Sequence, residues 1–252
     1  MAKSKFEYVR HFEEEKKCLK DCWIVVRIDG KSFHKFTKLH DYIKPNDDRG
    51  LNLMTKSALS VMENIKDICL AYGQSDEYSF IFQRNTQLYN RRESKIMTYV
   101  CSLFSSSFVY YWNNFFEYPL KSIPSFDAKI ILYPTNKKLR DYMSWRQADC
   151  HINNLYNTAF WALIQEGGLS PRDSEQRLCK TVSSDKNEIL FTEFNINYNE
   201  LPQLYRKGTV IISTKEKSEI EKEPKVILSV QHVDIIGDQF WKEHPILDKY
   251  PD

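Results

Sequence analysis

The spacing of hydrophobic residues changes several times along the chain, and each change marks an element. Residues 6–20 carry Tyr8, Val9 and Phe12 on one side and Glu and Lys on the other, which predicts an amphipathic helix. Residues 23–28 are a β-branched apolar run closed by Asp29 and Gly30, the pattern of a buried strand ending in a carboxylate and a turn. A loop is expected from there to about Asn46. Leu51, Met54, Ala58, Val61, Met62 and Ile65 then recur in steps of three and four, as on a helix packed against a sheet. Apolar runs at 68–72 and 78–82 flank Gly73, Gln74, Ser75, Asp76 and Glu77, so a hairpin with two adjacent carboxylates at its tip follows. A second helix is predicted over about 91–112, and a strand over 126–133 stops at Pro134.

The order β, α, β, β, α, β is that of a ferredoxin-like α+β fold, an antiparallel sheet with helices on one face, which is also the layout of the polymerase palm. In such a sheet the end of the first strand lies beside the tip of the central hairpin, so Asp29 and Asp76 should face each other. Further on, residues 136–165 predict a helix ended by Gly167, Gly168 and Pro171. The stretch to Arg206 reads as loop-rich with a short helix near 174–181. Strands are expected at 208–213 and 226–230, joined by the mixed-charge run 215–225 as a solvated hairpin tip. The organisation expected is a palm-like unit over residues 1–135 and a helical and β-hairpin extension over 136–252, packed as one continuous body.

With 42% hydrophobic and 14% aromatic residues among 252, the chain can fold around its own core. Its 36 Lys and Arg against 34 Asp and Glu leave +2, so a polyanionic partner has to be argued from local clusters. The first 20 residues are charged and no 18-residue apolar run occurs, so neither a secretory signal nor a membrane span is expected. A cytoplasmic location is expected, with nucleus and mitochondrion left open. The six cysteines are scattered, and Cys18 with Cys22 lacks the second pair of a zinc site, so reduced thiols are expected.

Two carboxylates from different strands repel each other unless a cation lies between them, and oxygen ligands without Cys or His favour Mg²⁺. Asp29 and Asp76 suit a pair of such ions, and Gly30 lets a backbone carbonyl approach the same place. The following Lys31, Ser32, Phe33 and His34 can turn backbone N–H groups toward a triphosphate, without the spacing of a P-loop. Arg91, Arg92 and Lys95 open a helix, where positive side chains suit phosphate oxygens. His151, Asn153, Asn154 and Asn157 offer groups for base edges, and Lys186 with Asn187 adds a charge and an amide.

Four blocks carry a resemblance: residues 27–34 (RIDGKSFH), 73–80 (GQSDEYSF), 146–157 (RQADCHINNLYN) and 184–191 (SDKNEILF). In this order they closely resemble the eukaryotic tRNA(His) guanylyltransferase family, over nearly the whole chain to about Ser213. The resemblance implies addition of one guanosine to the 5′ end of histidine tRNA. ATP adenylylates the 5′-monophosphate, the 3′-hydroxyl of GTP displaces AMP, and pyrophosphate is removed. It implies two Mg²⁺ ions on Asp29, the Gly30 carbonyl and Asp76, and nucleotide contacts from Lys31, Ser32, Phe33, His34 and Ser75. It adds Lys44 and Asn46 as phosphate or activation-site residues and Glu77 as a member of the catalytic motif. The 146–157 block would help read the tRNA and its anticodon, with more than one subunit needed to reach both ends, implying a homotetramer built as a dimer of dimers. Aromatics from Tyr110 to Phe116 offer adhesive surface for that assembly or could equally be core. The competing readings are a palm-fold nucleotide cyclase, which has no need of the 146–157 block, and a non-catalytic tRNA-binding protein, which has no need of Asp29 and Asp76.

Overall fold

A computed structural model describes residues 4–216 and 225–250. Its centre is a six-stranded antiparallel sheet in the order β4-β1-β3-β2-β5-β6. The strands are β1 (Trp23–Gly30), β2 (Ile68–Gln74), β3 (Glu77–Phe82), β4 (Phe126–Tyr133), β5 (Thr209–Glu216) and β6 (Lys225–Gln231). The first four reproduce the expected ferredoxin-like order, and β5 and β6 from the C-terminal half lengthen the same sheet beyond β2.

Strand β1 is apolar on both faces because both are covered. Ile24, Val26 and Ile28 join Phe80 and Phe82 of β3 in one core with helices α2 (Asp48–Asn64) and α3 (Glu93–Tyr110). Leu53, Ala58 and Val61 from α2 and Ile96, Val100, Phe104 and Phe108 from α3 are fully buried there. Truncating one of these phenylalanines to Ala would cost about 3–5 kcal/mol. Trp23 and Val25 point the other way, with Leu70, Tyr72 and Ile81, toward α4 (Asn136–Gln165) and α8 (Asp238–Glu243). The first half of α4 closes this second face through Leu139, Tyr142 and Met143. Its second half carries a separate core with α5 (Pro171–Leu178) and α6 (Ser183–Phe194).

Several elements differ from the expected ones. Residues 6–20 do not form a long helix: only Glu7–Phe12 turns, as a 3-10 segment with no buried residue, leaving Tyr8, Val9 and Phe12 exposed. Among the described residues no tertiary surface receives that apolar side, and an isolated short helix is not stable without one. The chain instead runs extended, where Cys18 N–H donates to the Arg91 carbonyl (2.9 Å) and Glu93 N–H to that of Lys16 (2.9 Å). The loop expected up to Asn46 contains α1 (Phe33–Leu39), held by Phe33 and Phe36 in the main core. The loop-rich stretch contains α6, whose start is fixed by Val182 N–H donating to the Asp185 carboxylate (2.9 Å), and the short α7 (Gln203–Lys207). Trp112 and Phe116 are core, whereas Tyr110 is exposed. Most of the charged 215–225 run lies outside the described residues.

Candidate active site

Because β1 pairs antiparallel with both neighbours, Asp29 stands in register with Glu77 on one side and Asp127 on the other. Ser75 and Asp76 form the tip of the β2-β3 hairpin, and Ser75 takes a left-handed φ of 49°. There its hydroxyl donates to Asp76 Oδ1 (2.9 Å), while Gly30 N–H donates to the Asp76 carbonyl (3.1 Å). The approach requires glycine: a Cβ on Gly30 would lie 2.5 Å from the Phe33 ring and 2.9 Å from Asp76 Oδ2. Asp29 and Asp76 are thus held together at one end of the sheet. Burial raises the affinity of Asp76 for a proton, the Ser75 hydrogen bond lowers it, and the charge on Asp29 raises it again. Asp29 is pushed up by burial and by Asp127, against Arg27, Lys129 and Arg146.

Glu77 behaves differently from its neighbours. Arg146 Nη1 donates to both of its carboxylate oxygens (3.3 and 3.1 Å) and to Asp149 (3.3 Å), and Arg27 Nε lies 3.6 Å from Glu77. Burial still pushes its pKa up, with the two arginines pulling down.

These carboxylates open into a cleft of about 600 Å³. One wall is α1 with the segment around Lys44, Asn46 and Asp47, and the opposite wall is α4 through Asp149, Asn153, Asn157 and Trp161. Asn46 donates to Asn154 (3.0 Å) and Gln74 to Asp149 (3.2 Å), so the walls are hydrogen-bonded across.

The chain matches two family descriptions end to end, tRNAHis guanylyltransferase over residues 6–134 and Thg1 C terminal domain over residues 137–237. The chain belongs to the tRNA(His) guanylyltransferase family. It is 55% identical to the Homo sapiens "Probable tRNA(His) guanylyltransferase", covering 99% of this chain and 90% of that protein. It is 52% identical to the tRNA(His) guanylyltransferase of Schizosaccharomyces pombe, covering 98% of each. The crystal structure of the Saccharomyces cerevisiae enzyme superposes with a TM-score of 0.80 at 49% identity, over 82% of this chain and 93% of that one.

Of the other residues singled out in the sequence, His34, Lys44, Asn46 and Ser75 line the cleft of this family member, as does Ser32, which has a left-handed φ of 52°. Lys44 is half-buried, which lowers its pKa, with Asp47 acting against the shift. Two positions are placed differently from the rest. Phe33 lines the cleft, but most of its ring is in the core, stacked on Phe36 at 4.9 Å. Lys31 does not line this cleft but a smaller depression of about 200 Å³ beside it, bounded by Ser122 to Ser125.

The residues expected to read tRNA do not form one patch. Asn153 and Asn157 line the cleft itself. Asn154, also there, is buried with both amide ends engaged, by Asn46 and by the Tyr198 hydroxyl (3.2 Å), so it cannot read a base edge. His151 lies outside, 3.3 Å from the Tyr198 hydroxyl, its pKa lowered by burial and by Arg206. Lys186 donates to Thr181 (2.9 and 2.7 Å) and Asn187 to the Ser183 carbonyl (3.0 Å) on α6. Arg91 is no phosphate ligand: it is buried and its guanidinium donates to five carbonyls, those of Cys18, Leu19, Cys22, Arg84 and Thr86. Arg92 is paired with Glu15 (2.5 Å), and Lys95 lies 4.8 Å over the Tyr89 ring. Asp127, Arg146 and Asp149 were missed. Only strand register reveals Asp127, whereas the i,i+3 spacing of Arg146 and Asp149 was legible as an ion pair on one helix face.

No cluster of three or more His, Cys, Asp or Glu side chains in ligand geometry occurs among the described residues, and the donors at this place are two carboxylates and a carbonyl, all oxygen. They do fit Mg²⁺, which keeps waters and substrate phosphates as its remaining ligands.

Proposed function

We propose that this chain adds one guanosine to the 5′ end of histidine tRNA, consuming ATP to activate the 5′-monophosphate and GTP as the nucleotide added. The observation that carries the reading is the convergence of Asp29 and Asp76 on a nucleotide-sized cleft in a chain of this family. Asp29, the Gly30 carbonyl and Asp76 would hold Mg²⁺, taken as two ions, which when bound activate an attacking oxygen and neutralise a leaving pyrophosphate. The chain's own contribution is positioning. Ser32 and Ser75, with the backbone at Phe33, face the triphosphate, and His34 and Lys44 add donors along it. The partial burial of Lys44 strengthens its attraction to phosphate by excluding water. In the first step the tRNA 5′-phosphate attacks the ATP α-phosphorus and pyrophosphate leaves. In the second the GTP 3′-hydroxyl attacks the activated 5′-phosphorus and AMP leaves, before the new end loses pyrophosphate.

The working unit in this reading is a homotetramer, because one compact chain cannot reach from the anticodon to the acceptor end of a tRNA. Exposed Tyr110 and the N-terminal Phe6, Tyr8 and Phe12 supply apolar surface for such an assembly. The test is direct: incubate the protein with 5′-phosphorylated histidine tRNA, ATP, labelled GTP and Mg²⁺, then map the label. Label at the position before nucleotide 1 is expected, and internal or 3′ label, or a cyclic nucleotide, would overturn the reading.

A further inference from the structure

We propose that His40 is a positioning residue for nucleotide binding: its imidazole clamps residues 118–125 to the end of α1, and that clamp holds Ser32 and His34 at the cleft. The inference rests on the proposed function in taking α1 as the wall that meets the triphosphate. Nothing local keeps that wall in place. α1 is only seven residues long, and among them Phe33, His34, Phe36 and Thr37 favour a helix weakly. It begins at Ser32 in a left-handed conformation, φ 52°, where no side chain caps its free N–H groups. A helix this short persists only where tertiary contacts hold it.

Those contacts come from two directions. Phe33 and Phe36 fix one side of α1 to the main core. The others come from residues 118–125, an irregular stretch before β4 that meets α1 at both ends. At the start, Lys31 N–H donates to the Ser125 carbonyl (2.9 Å). At the far end the join runs through His40, which is fully buried. The Lys121 backbone N–H can only donate, so Nε2 of His40 accepts from it (2.9 Å) and Nδ1 carries the hydrogen given to the Phe36 carbonyl (2.8 Å). The Tyr118 hydroxyl donates to the His40 carbonyl, and the imidazole packs 4.0 Å from the Phe36 ring and 5.0 Å from the Trp112 ring. The Lys121 ammonium also reaches the Leu39 carbonyl (2.9 Å) and Asp41 (2.7 Å), but water competes for these exposed bonds.

The two ring nitrogens serve different ends. The Nδ1 bond stays at the end of α1, whereas the Nε2 bond joins groups 81 residues apart in the chain. Without that acceptor the loop and the helix part, and α1 keeps only its core side. Thr37, which lines the cleft and accepts from Lys44 Nζ (3.2 Å), moves with it, so the clamp bears on Ser32, His34 and Lys44 together. Asp29 and Asp76 are held by the sheet and by Gly30 instead. A broken clamp therefore weakens nucleotide binding and spares the chemistry. Apparent affinity falls with the fraction of molecules whose α1 is in place, and saturating nucleotide restores that fraction.

The experiment compares two substitutions in the full chain that each keep one nitrogen's role. His40→Gln puts an amide oxygen near Nε2 and keeps the acceptor for Lys121, while His40→Asn keeps a donor near Nδ1 and falls short of Lys121. His40→Asn should raise both the KM for GTP and the dissociation constant of GTP with Mg²⁺, read by equilibrium dialysis, roughly ten- to a hundredfold. Its kcat at saturating GTP should stay within about threefold of wild type, and its tRNA affinity without nucleotide should not change. His40→Gln should recover most of the loss. Tyr118→Phe removes one hydroxyl from the same join and should raise the dissociation constant about threefold, which decides the matter should His40→Asn not fold. Equal losses in the Asn and Gln variants would overturn the inference, as would unchanged GTP binding in both His40→Asn and Tyr118→Phe. A wild type that binds GTP yet adds no guanosine would count against the proposed function, and the dialysis would still decide the clamp.

Discussion

Arg146→Gln should destabilise the protein far more than its place beside a cleft suggests, and the loss should be reversible by a second substitution. Both partners of the Arg146 and Glu77 pair are nearly buried, at 5% and 8% exposure. Removing one member of such a pair costs about 3–5 kcal/mol, because a charge is left without compensation. Arg27 remains 3.6 Å from Glu77, so the lower end, about 3 kcal/mol, is expected. For a chain of this length that corresponds to a fall in Tm of roughly 6–12 °C. The pH dependence has a definite sign. Burial already raises the Glu77 pKa, and loss of Arg146 raises it further. A carboxylate with a raised folded pKa costs stability when ionised, so the penalty is complete above that folded value. It fades as pH falls toward the unfolded value of about 4.3. Urea unfolding at pH 8 and pH 5, without nucleotide or metal, measures both effects. Glu77→Gln combined with Arg146→Gln should regain most of the loss, since two neutral amides can hydrogen-bond where one carboxylate was stranded. A loss below about 1 kcal/mol in the single variant, or a double variant no better than it, would refute the reasoning.

Asp76→Asn should abolish guanosine addition yet raise Tm at pH 8 in EDTA. Its carboxylate is held above its usual range by burial and by Asp29, so ionisation costs stability as pH rises through the folded value; an equal Tm shift at pH 5 and pH 8 would contradict this. Gly30→Ala should cost about 1–3 kcal/mol by overpacking against Phe33 and should lower kcat by displacing Asp76, checked by melting and steady-state kinetics. Arg91→Met should destabilise by at least about 2 kcal/mol because five carbonyls lose a charged donor, while the salt slope of tRNA binding stays at its wild-type value; a reduced slope would return Arg91 to the phosphate contacts.

The sequence made the centre of the molecule legible because two rules coincide there. Continuous apolar runs and β-branching marked β1 and the β2-β3 hairpin, and the palm order then placed Asp29 beside Asp76. The helix α4 was legible with both ends, since Pro134 and Thr135 start it and paired glycines follow it. Residues 6–20 depart from the expected helix because amphipathic spacing says only that a helix could bury a face, not that any surface is there to receive it. Arg91 departs from its expected place for a related reason. A basic residue beside another at a helix start reads as exposed, and nothing local reveals that Cys18, Leu19 and Cys22, about 70 residues earlier in the chain, place their carbonyls around it. Phe33 shows the same limit at a shorter range, since a motif identifies a segment without saying which way each side chain turns.

Chemistry and recognition cannot be assigned cleanly to the two halves of this chain, because the cleft is assembled from both. Asn46 to Asn154, Gln74 to Asp149, Arg146 to Glu77 and the Tyr205 hydroxyl to Asp48 (2.6 Å) all cross between residues before 135 and residues after it. Helix α4 is the common support, a rod of about 45 Å if each of its 30 residues adds the usual rise. Its first half is fixed to the sheet, its middle forms a cleft wall, and its far half holds the core on which α6 carries Lys186. A displacement at the α6 end would move the Asn154 and Arg146 contacts along the same helix unless α4 bends, and it contains no proline or glycine at which to do so.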